Sequence, residues 1–240
     1  MVKLSDRLQV LADQIGNKET MADIGTDHGF LPVYLWERGI SPKVIFTDVS
    51  AGSLEKSRVN AKRLYPEEPF DFRLGNGLEV LSEGEVDDVV IAGMGGILMT
   101  RILGKDLEKT KSFSKLILQP RSGQGVLRHW LLQNGFVIEK ESLVREGKYI
   151  CEVINAAPEG TRDRAPVSRK LEGCGPEDIE YEVPPWISMA GPLAKAFVEN
   201  RIAVEMRILS GLQKSRTPDR KAIQSEKRRI AYLKSLLGGI

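Results

Sequence analysis

The sequence is poor in the residues that build disulfide frameworks, metal centres and membrane spans. Its 240 residues include only two cysteines, Cys151 and Cys174, and two histidines, His28 and His129. Such sparse cysteine usage favours a reducing compartment, and the two cysteines do not have metal-ligand spacing. No apolar run approaches the roughly 18–20 residues that a membrane helix needs. We therefore expect a cytoplasmic protein with no metal ion, and the amphipathic N-terminal stretch predicts no signal peptide.

The charge of the chain is nearly balanced overall but unevenly distributed. The net charge is +2, yet residues 193–240 contain 11 Lys and Arg against 4 Asp and Glu. The residues before them therefore carry a net charge of −5. A basic segment attached to an acidic body predicts a polyanionic partner, although the solvated faces of an ordinary helical hairpin would have the same composition.

Short apolar segments alternate with helical patterns along the first two thirds of the chain. KVIFTDV and KLILQP are typical of the apolar segments, and SAGSLEKSRVNAKRLY is typical of the helical ones. This alternation predicts an α/β fold with a mostly parallel sheet that is covered on both faces. The last two apolar segments, FVIEKESLVREG and KYICEVINAA, meet at Gly147 and predict an antiparallel hairpin at one end of the sheet.

The alternation stops at about residue 157. Residues 158–186 are rich in proline, glycine and charge, which predicts a linker or surface excursion. Two apolar stripes at helical spacing follow in residues 187–240, and Pro218 lies between them. They predict a basic antiparallel helical hairpin or short coiled coil. We therefore predict a domain over 1–157, a linker over 158–186 and a helical domain over 187–240.

Acidic and polar side chains follow three successive predicted strands. ADIGTDHGFLP brings Asp23 and Asp27 to the end of the first strand, FTDVS brings Asp48 to the second, and LGNGLEVL brings Asn76 to the third. Ligands bind at this carboxyl edge in open α/β sheets. The glycines lack the G-x-G-x-x-G spacing of a dinucleotide-binding loop, and the acids of the first segment would repel a pyrophosphate.

These side chains suit a nucleoside that carries no phosphate. The carboxylate of Asp48 has two acceptor oxygens for the two hydroxyls of a ribose, while Asn76 suits an adenine edge and Gly77 allows the ring to approach. S-adenosylmethionine has this shape, and the acids would attract its ammonium and sulfonium groups. The fourth strand ends in IAGMGG, whose glycines allow a flat base to approach closely or simply form a tight turn.

The segments ADIGTDHGFLP, FTDVS, RLGNGLEVL, IAGMGG and LILQP together closely resemble the bacterial tRNA (adenine-N1)-methyltransferases that modify adenine 22. The resemblance covers residues 4–156, and the C-terminal helical pair matches that family's coiled-coil appendage. The chain departs from the family at Phe30, where a tyrosine is frequent, and residues 157–184 have no counterpart. The resemblance implies a Rossmann-like class I methyltransferase sheet and methyl transfer from S-adenosylmethionine to N1 of an adenine in tRNA.

The resemblance and the residue patterns together indicate the site residues. The expected cofactor-binding residues are Asp23, Gly25, Thr26, Asp27, His28, Gly29, Asp48, Val49, Asn76, Gly77, Ala92, Gly93, Met94 and Gly95. The expected tRNA-binding residues are Gly96, Arg101, Arg201, Arg207, Lys214, Arg216, Arg220, Lys227 and Arg228. N1 lies on the Watson–Crick edge, so the target adenine must be unpaired or extruded from its stack.

Two residues are candidates for a catalytic role. Asp27 would serve the cofactor, steer the adenine amine or stabilise the cation that forms on the base, and Gln119 would line the base pocket or shape a turn. His28 would bond the cofactor's carboxylate or hold its loop, and His129 is expected to be structural. We expect a monomer or weak dimer. The alternatives are a small-molecule methyltransferase on the same fold and a nucleotide-binding protein whose hairpin binds a protein partner.

Overall fold

A seven-stranded sheet forms the centre of the protein in this computed structural model, which describes residues 1–160, 167–168, 170–215 and 217–240. The strands lie in the order β3-β2-β1-β4-β5-β7-β6. Strands β1 to β5 are parallel, and β7 is antiparallel to both β5 and β6. The predicted parallel sheet with an antiparallel hairpin at one end is therefore confirmed. The strands are β1 Met21–Ile24, β2 Val44–Asp48, β3 Asp71–Leu74, β4 Asp88–Gly95, β5 Lys115–Ser122, β6 Phe136–Glu146 and β7 Tyr149–Pro158.

Helices pack on both faces of this sheet and continue at the C-terminal end. Short 3-10 turns span Gly77–Val80 and Pro185–Met189. The helices are α1 Asp6–Ala12, α2 Phe30–Glu37, α3 Ala51–Leu64, α4 Gly96–Gly104, α5 Leu107–Lys111, α6 Gln124–Gln133, α7 Ile179–Glu182, α8 Ala194–Lys214 and α9 Arg220–Leu237. None of the helices in the described ranges is long and apolar enough to cross a membrane.

The sheet separates two apolar clusters, which explains its continuous apolar strands. One cluster joins β1, β4 and β5 to α4 and α6, and the other joins the opposite face to α1, α2 and α3. All four residues of β1 are buried, as in a strand covered on both faces. Ile24 pairs with Thr47 of β2 and Ile91 of β4, so the polar residues that follow these strands meet at one edge.

The C-terminal region is a helical hairpin packed on the sheet domain. Helices α8 and α9 follow each other in the chain and pack against each other. A third apolar cluster joins them to the β6–β7 hairpin through Leu143 and Phe197. The helical hairpin is as predicted, whereas its coiled-coil character stays a prediction.

The segment before the helical hairpin is largely packed where it is described. Ile179, Tyr181, Val183 and Trp186 are buried, and Tyr181 and Trp186 belong to the main core. Arg128 on α6 is fully buried and donates hydrogen bonds to the carbonyl groups of Tyr181 and Glu182. The proline- and charge-rich composition concealed these contacts. This part of the predicted linker therefore packs on the sheet domain and connects it to the helical hairpin. The domain boundaries remain a prediction.

Candidate active site

A cavity of about 930 Å³ opens at the carboxyl edge of the sheet. Its walls come from the segments that follow β1, β2, β3, β4 and β5, together with α1 and the β6–β7 hairpin. Most of the site residues predicted on the sheet domain line it. They are Asp23, Gly25, Thr26, Asp27, His28, Asp48, Val49, Asn76, Gly77, Ala92, Gly93, Met94 and Gln119.

Asp23 is the most strongly perturbed acid in the cavity wall. It is 7% exposed, and its Oδ2 accepts a hydrogen bond from the hydroxyl of Thr26 at 2.8 Å. The pKa of Asp23 is raised to about 6, chiefly by burial and also by the negative charge of Asp48, whereas the Thr26 hydrogen bond and the charge of Arg7 lower it. An acid held in this way is ready to receive a cationic ligand group.

A hydrogen bond links the carboxylate of Asp48 to the backbone amide of Asp27. Asp48 Oδ1 accepts from the amide of Ser50 at 2.8 Å, and Oδ2 accepts from the amide of Asp27 at 3.4 Å. Asp27 has a φ of 45°, a conformation that is unusual for a residue with a side chain but tolerated by aspartate. The Asp48 carboxylate is thus fixed in direction, and the Asp27 carboxylate extends from a strained turn at the cavity mouth.

The exposed charges around Asp27 form a small cluster. Its carboxylate lies 3.4 Å from His28 Nε2 and 3.8 Å from Lys56 Nζ. The imidazole of His28 stacks on the ring of Phe30, with the centroids 5.6 Å apart. Both rings line the cavity, so His28 supports the Asp27 loop and remains accessible to a ligand. His129 instead packs edge-on against Tyr181, as expected of a structural histidine.

Two glycines shape the wall of the cavity in different ways. Gly25 has a φ of 80°, and a side chain there would overlap the methyl group of Met94. Gly93 has a φ of 77°, and a Cβ added there would meet no atom within 4 Å. The space beside Gly93 is therefore available to a ligand rather than filled by the protein.

Gln119 is held in place by its own hydrogen bonds. It is 2% exposed, and its Oε1 accepts from the amide of Gly93 at 3.2 Å and from Arg7 at 3.2 Å. Its side-chain nitrogen donates to the carbonyl of Pro120 at 3.1 Å. Since the acceptor is already used twice, the geometry favours a role in shaping the irregular end of β4 over direct reading of a base.

Four residues predicted on the sheet domain do not line the cavity. Gly29 caps α2 and packs against Ser57 and Phe46. Gly95 precedes α4 beyond the cavity wall, and Gly96 is buried against the backbone of Gly123. A buried glycine of this kind has no surface to offer to tRNA. Arg101 is exposed on α4, outside the cavity.

The structure adds wall residues that the sequence reasoning missed. Arg7 of α1 lines the cavity and donates from Nε to Glu146 Oε1 at 2.8 Å. Tyr149 and Cys151 of β7 line it as well. Arg7 lies more than 100 positions before Tyr149 and Cys151 in the chain, and neither the segment around Arg7 nor the one around Tyr149 carries a recognisable motif. The single available signal was the basic and aromatic composition of the turn between the last two strands.

The predicted basic residues of the helical hairpin fall into two groups. Arg201 is paired with Glu182 and Glu205, and Arg228 lies 3.0 Å from Glu180 and 3.6 Å from Asp178. In the second group no acid lies within ion-pair distance among the described residues, and all four members are exposed. These are Arg207, Lys214, Arg220 and Lys227. The prediction for Arg216 lies outside the described residues.

The cavity residues fit S-adenosylmethionine by their chemistry. Asp48 offers oriented oxygens to a ribose, Asp23 offers a buried carboxylate to an ammonium, and Gly93 leaves open space between them and β5. Nothing in the wall resembles a phosphate-binding loop. Within the ranges that the structure covers, no group of three or more His, Cys, Asp or Glu is arranged to hold a metal ion.

Comparison with known proteins gives a consistent answer. Residues 4–154 match the family model described as a methyltransferase domain. The chain is 35% identical over 164 residues to the tRNA (adenine(22)-N(1))-methyltransferase of Bacillus subtilis, with 68% of each chain covered.

Solved structures agree with the sequence comparison. The crystal structure of the Bacillus subtilis tRNA methyltransferase has a TM-score of 0.82 at 26% identity, covering 99% of this chain and 100% of that one. A Streptococcus pneumoniae protein solved in complex with S-adenosyl-L-methionine has a TM-score of 0.81 at 26% identity, covering 98% and 100%. From the shared sequence and fold, the chain belongs to the tRNA (adenine(22)-N1)-methyltransferases, within the methyltransferase-domain proteins.

Proposed function

We propose that this protein transfers the methyl group of S-adenosylmethionine to N1 of adenine 22 in tRNA. The observation that carries the proposal is the cavity itself, because Asp23, Asp48, Asn76 and Gly93 at the end of β4 meet there. The chain that carries this arrangement is itself 35% identical over 164 residues to a tRNA (adenine(22)-N(1))-methyltransferase.

The cofactor would lie along the ends of β1, β2 and β3. Asp48 accepts the ribose hydroxyls, Asp23 pairs with the ammonium of the methionine part, and Asn76 and Gly77 bracket the adenine of the cofactor. S-adenosylmethionine supplies a methyl group on a positively charged sulfur. The end of β4 at Gly93 and Met94 would separate this half of the cavity from the end of β5 and the start of β7, where the substrate adenine would enter.

The reaction requires the protein mainly to align N1 of the adenine with the methyl group of the cofactor. N1 of a neutral adenine already carries a lone pair, so the N–C bond forms as the C–S bond breaks and no general base is required. The positive charge passes from the sulfur to the adenine ring. Asp27, at the mouth of the cavity, is placed to stabilise that charge or to accept a hydrogen bond from the adenine amine. Gln119 acts in this proposal as a positioning residue, because its hydrogen bonds hold Gly93 and Arg7 in the cavity wall.

The proposal extends to the whole chain. Residues 1–157 form the catalytic domain, residues 187–240 form the basic helical domain, and the described part of 158–186 joins them. We place the enzyme in the cytoplasm, as a monomer or weak dimer, with tRNA as its partner. The exposed cations of the helical hairpin would position the tRNA through its phosphates, without reading sequence.

The unpaired cations of the hairpin are expected to govern the salt dependence of tRNA binding. A Lys214→Gln, Arg220→Gln, Lys227→Gln triple variant should lower the slope of log Kd against log salt by roughly 2–3, since each lost phosphate contact removes about 0.7–0.9. The affinity for S-adenosylmethionine should not change. Filter binding of tRNA at several salt concentrations measures the slope, and an unchanged slope would rule out these residues as phosphate contacts.

Arg229 provides the matched control for the triple variant. It lies 3.0 Å from Glu182 and 3.2 Å from Glu205, whose side chain is only 2% exposed. Arg229→Gln removes one of the two arginines that pair with the buried Glu205, while Arg201 remains beside it, so it should lower the free energy of unfolding by about 1–3 kcal/mol. It should do so without changing the salt slope measured on the folded fraction.

The proposed activity is tested by incubating the protein with radiolabelled S-adenosylmethionine and bulk tRNA, then digesting the RNA to nucleosides. Label in N1-methyladenosine supports the proposal. Label in N6-methyladenosine would contradict the assigned ring position, and absence of label in RNA would contradict the assigned substrate.

A further inference from the structure

The cavity is larger than the proposed cofactor contacts require. Its volume of about 930 Å³ lies near the top of the roughly 300–1,000 Å³ range of small-molecule pockets. The cofactor residues proposed above occupy the side formed by β1 to β4. The opposite side is formed by residues to which no role has been given, among them Arg121, Tyr149 and Ile150. This substrate side of the cavity has the room to receive a nucleobase.

Tyr149 is the aromatic residue of the substrate side. It begins β7, directly after the two-residue turn Gly147 and Lys148, and it pairs with Glu146 across the hairpin. It lines the cavity and yet is 64% exposed. Lys148 Nζ lies 5.2 Å from the centroid of its ring. The ring therefore lies at the cavity mouth with most of its surface open to contact by a ligand.

The hairpin tip that carries Tyr149 is fixed in position. A two-residue turn with Gly147 at a φ of 58° leaves little freedom between the strands. Glu146 is held by Arg7 at 2.8 Å, which ties the tip to α1. Tyr149 therefore presents a preformed surface and would lose little conformational freedom on binding.

The cations around Tyr149 define the chemistry of its ligand. Arg121, Arg145 and Lys148 are exposed near the tip, and no acid among the described residues lies within ion-pair distance of them. Proteins that bind unpaired nucleotides combine cations for the backbone with aromatic rings for the bases.

We propose that Tyr149 stacks on the nucleobase that enters the substrate side of the cavity, and that Arg121, Arg145 and Lys148 contact the phosphates beside it. This inference rests on the proposed function, because an N1 acceptor must leave its stack before it reaches the methyl donor. Stacking on Tyr149 replaces part of the stacking that the base loses.

The substitution Tyr149→Ala tests the proposal. Loss of one base–aromatic stack costs about 1–3 kcal/mol, so kcat/KM for tRNA should fall roughly 5- to 150-fold. The dissociation constant of S-adenosylmethionine, measured by calorimetry, should be unchanged. Tyr149→Phe keeps the ring and should recover most of the loss. Met189→Ala, at a residue that is 62% exposed and outside the cavity, is the matched control and should have no effect.

A spectroscopic measurement separates stacking from a structural role. In tRNA with 2-aminopurine in place of adenine 22, the fluorescence of the saturated complex should be quenched with the wild-type protein and higher with Tyr149→Ala. Equal fluorescence, or a loss with Tyr149→Phe as large as with Tyr149→Ala, would overturn the proposal. The fluorescence measurement does not need turnover. Failure of the proposed function would be seen as absent methyl transfer by the wild-type protein, and it can therefore be distinguished from failure of the stacking proposal.

Discussion

Replacing Asp48 with alanine is expected to weaken the binding of S-adenosylmethionine by roughly 10²- to 10⁴-fold. The carboxylate would accept two ribose hydroxyls, and hydrogen bonds to a charged group contribute about 1.5–3 kcal/mol each. The side chain is 9% exposed and oriented by the amides of Ser50 and Asp27, so the ligand meets it without reorganisation. Calorimetric titration of the variant and the wild-type protein measures the loss.

Two further variants make the Asp48 prediction specific. Asp48→Asn keeps one acceptor oxygen and should lose less affinity than Asp48→Ala. Glu55→Ala removes an exposed carboxylate of α3, whose partner Arg58 lies 3.4 Å away, and should leave the affinity unchanged. An Asp48→Ala protein that remains folded and binds the cofactor as tightly as the wild type would contradict the assignment of the ribose site.

Replacing Asp23 with asparagine is expected to stabilise the cofactor-free protein and to weaken cofactor binding. The pKa of Asp23 is raised to about 6 in the folded state, against about 3.9 in an unfolded chain. Above pH 6 the buried charge therefore costs on the order of 2–3 kcal/mol of stability, and asparagine removes this cost while its oxygen can still accept from Thr26. We expect a melting temperature roughly 4–12 °C higher at pH 7.5.

Cofactor binding should change in the opposite direction. Loss of the charged partner of the ammonium should weaken S-adenosylmethionine binding roughly 10- to 150-fold at pH 7.5. In the wild-type protein the affinity should decrease as the pH falls through 6, because a protonated Asp23 must release its proton before it pairs with a cation. In Asp23→Asn this pH dependence should be absent.

The control for Asp23 is an acid on the surface of the same domain. Asp13, at the end of α1, is exposed and accepts a hydrogen bond from Gln9 at 2.8 Å. Asp13→Asn should change neither the melting temperature nor the pH dependence of binding. If Asp23→Asn lowers the melting temperature and leaves the affinity unchanged, Asp23 is a structural acid and its assignment to the ammonium is wrong.

The sheet and the cofactor side of the cavity could be predicted because their signals are local. Strand β1 reads as a continuous apolar run since both its faces are covered, and the acids after β1 and β2 lie next to those runs. Parallel pairing then brings Asp23 and Asp48 to one edge, whatever the length of the helices between them.

The substrate side could not be predicted, because it is assembled across the fold. Arg7 meets Glu146 only after α1 packs beside the hairpin, and Tyr149 reaches the cavity because β7 runs antiparallel to β5. The charge count of the C-terminal region likewise concealed that Arg201 and Arg229 pair with acids of α7 and α8. Composition gives the sign of a charge but not its partner.

The most direct test of the central claim is the position of the methyl group on a defined tRNA. An unmodified transcript with adenosine at position 22 is incubated with the protein and S-adenosylmethionine, then copied by reverse transcriptase, which stops at N1-methyladenosine. We expect a stop at position 22 that depends on the cofactor and is absent with the Asp48→Ala protein and with a transcript carrying guanosine at that position. Methyl incorporation without a stop at position 22, or a stop that persists on the guanosine transcript, would contradict the account.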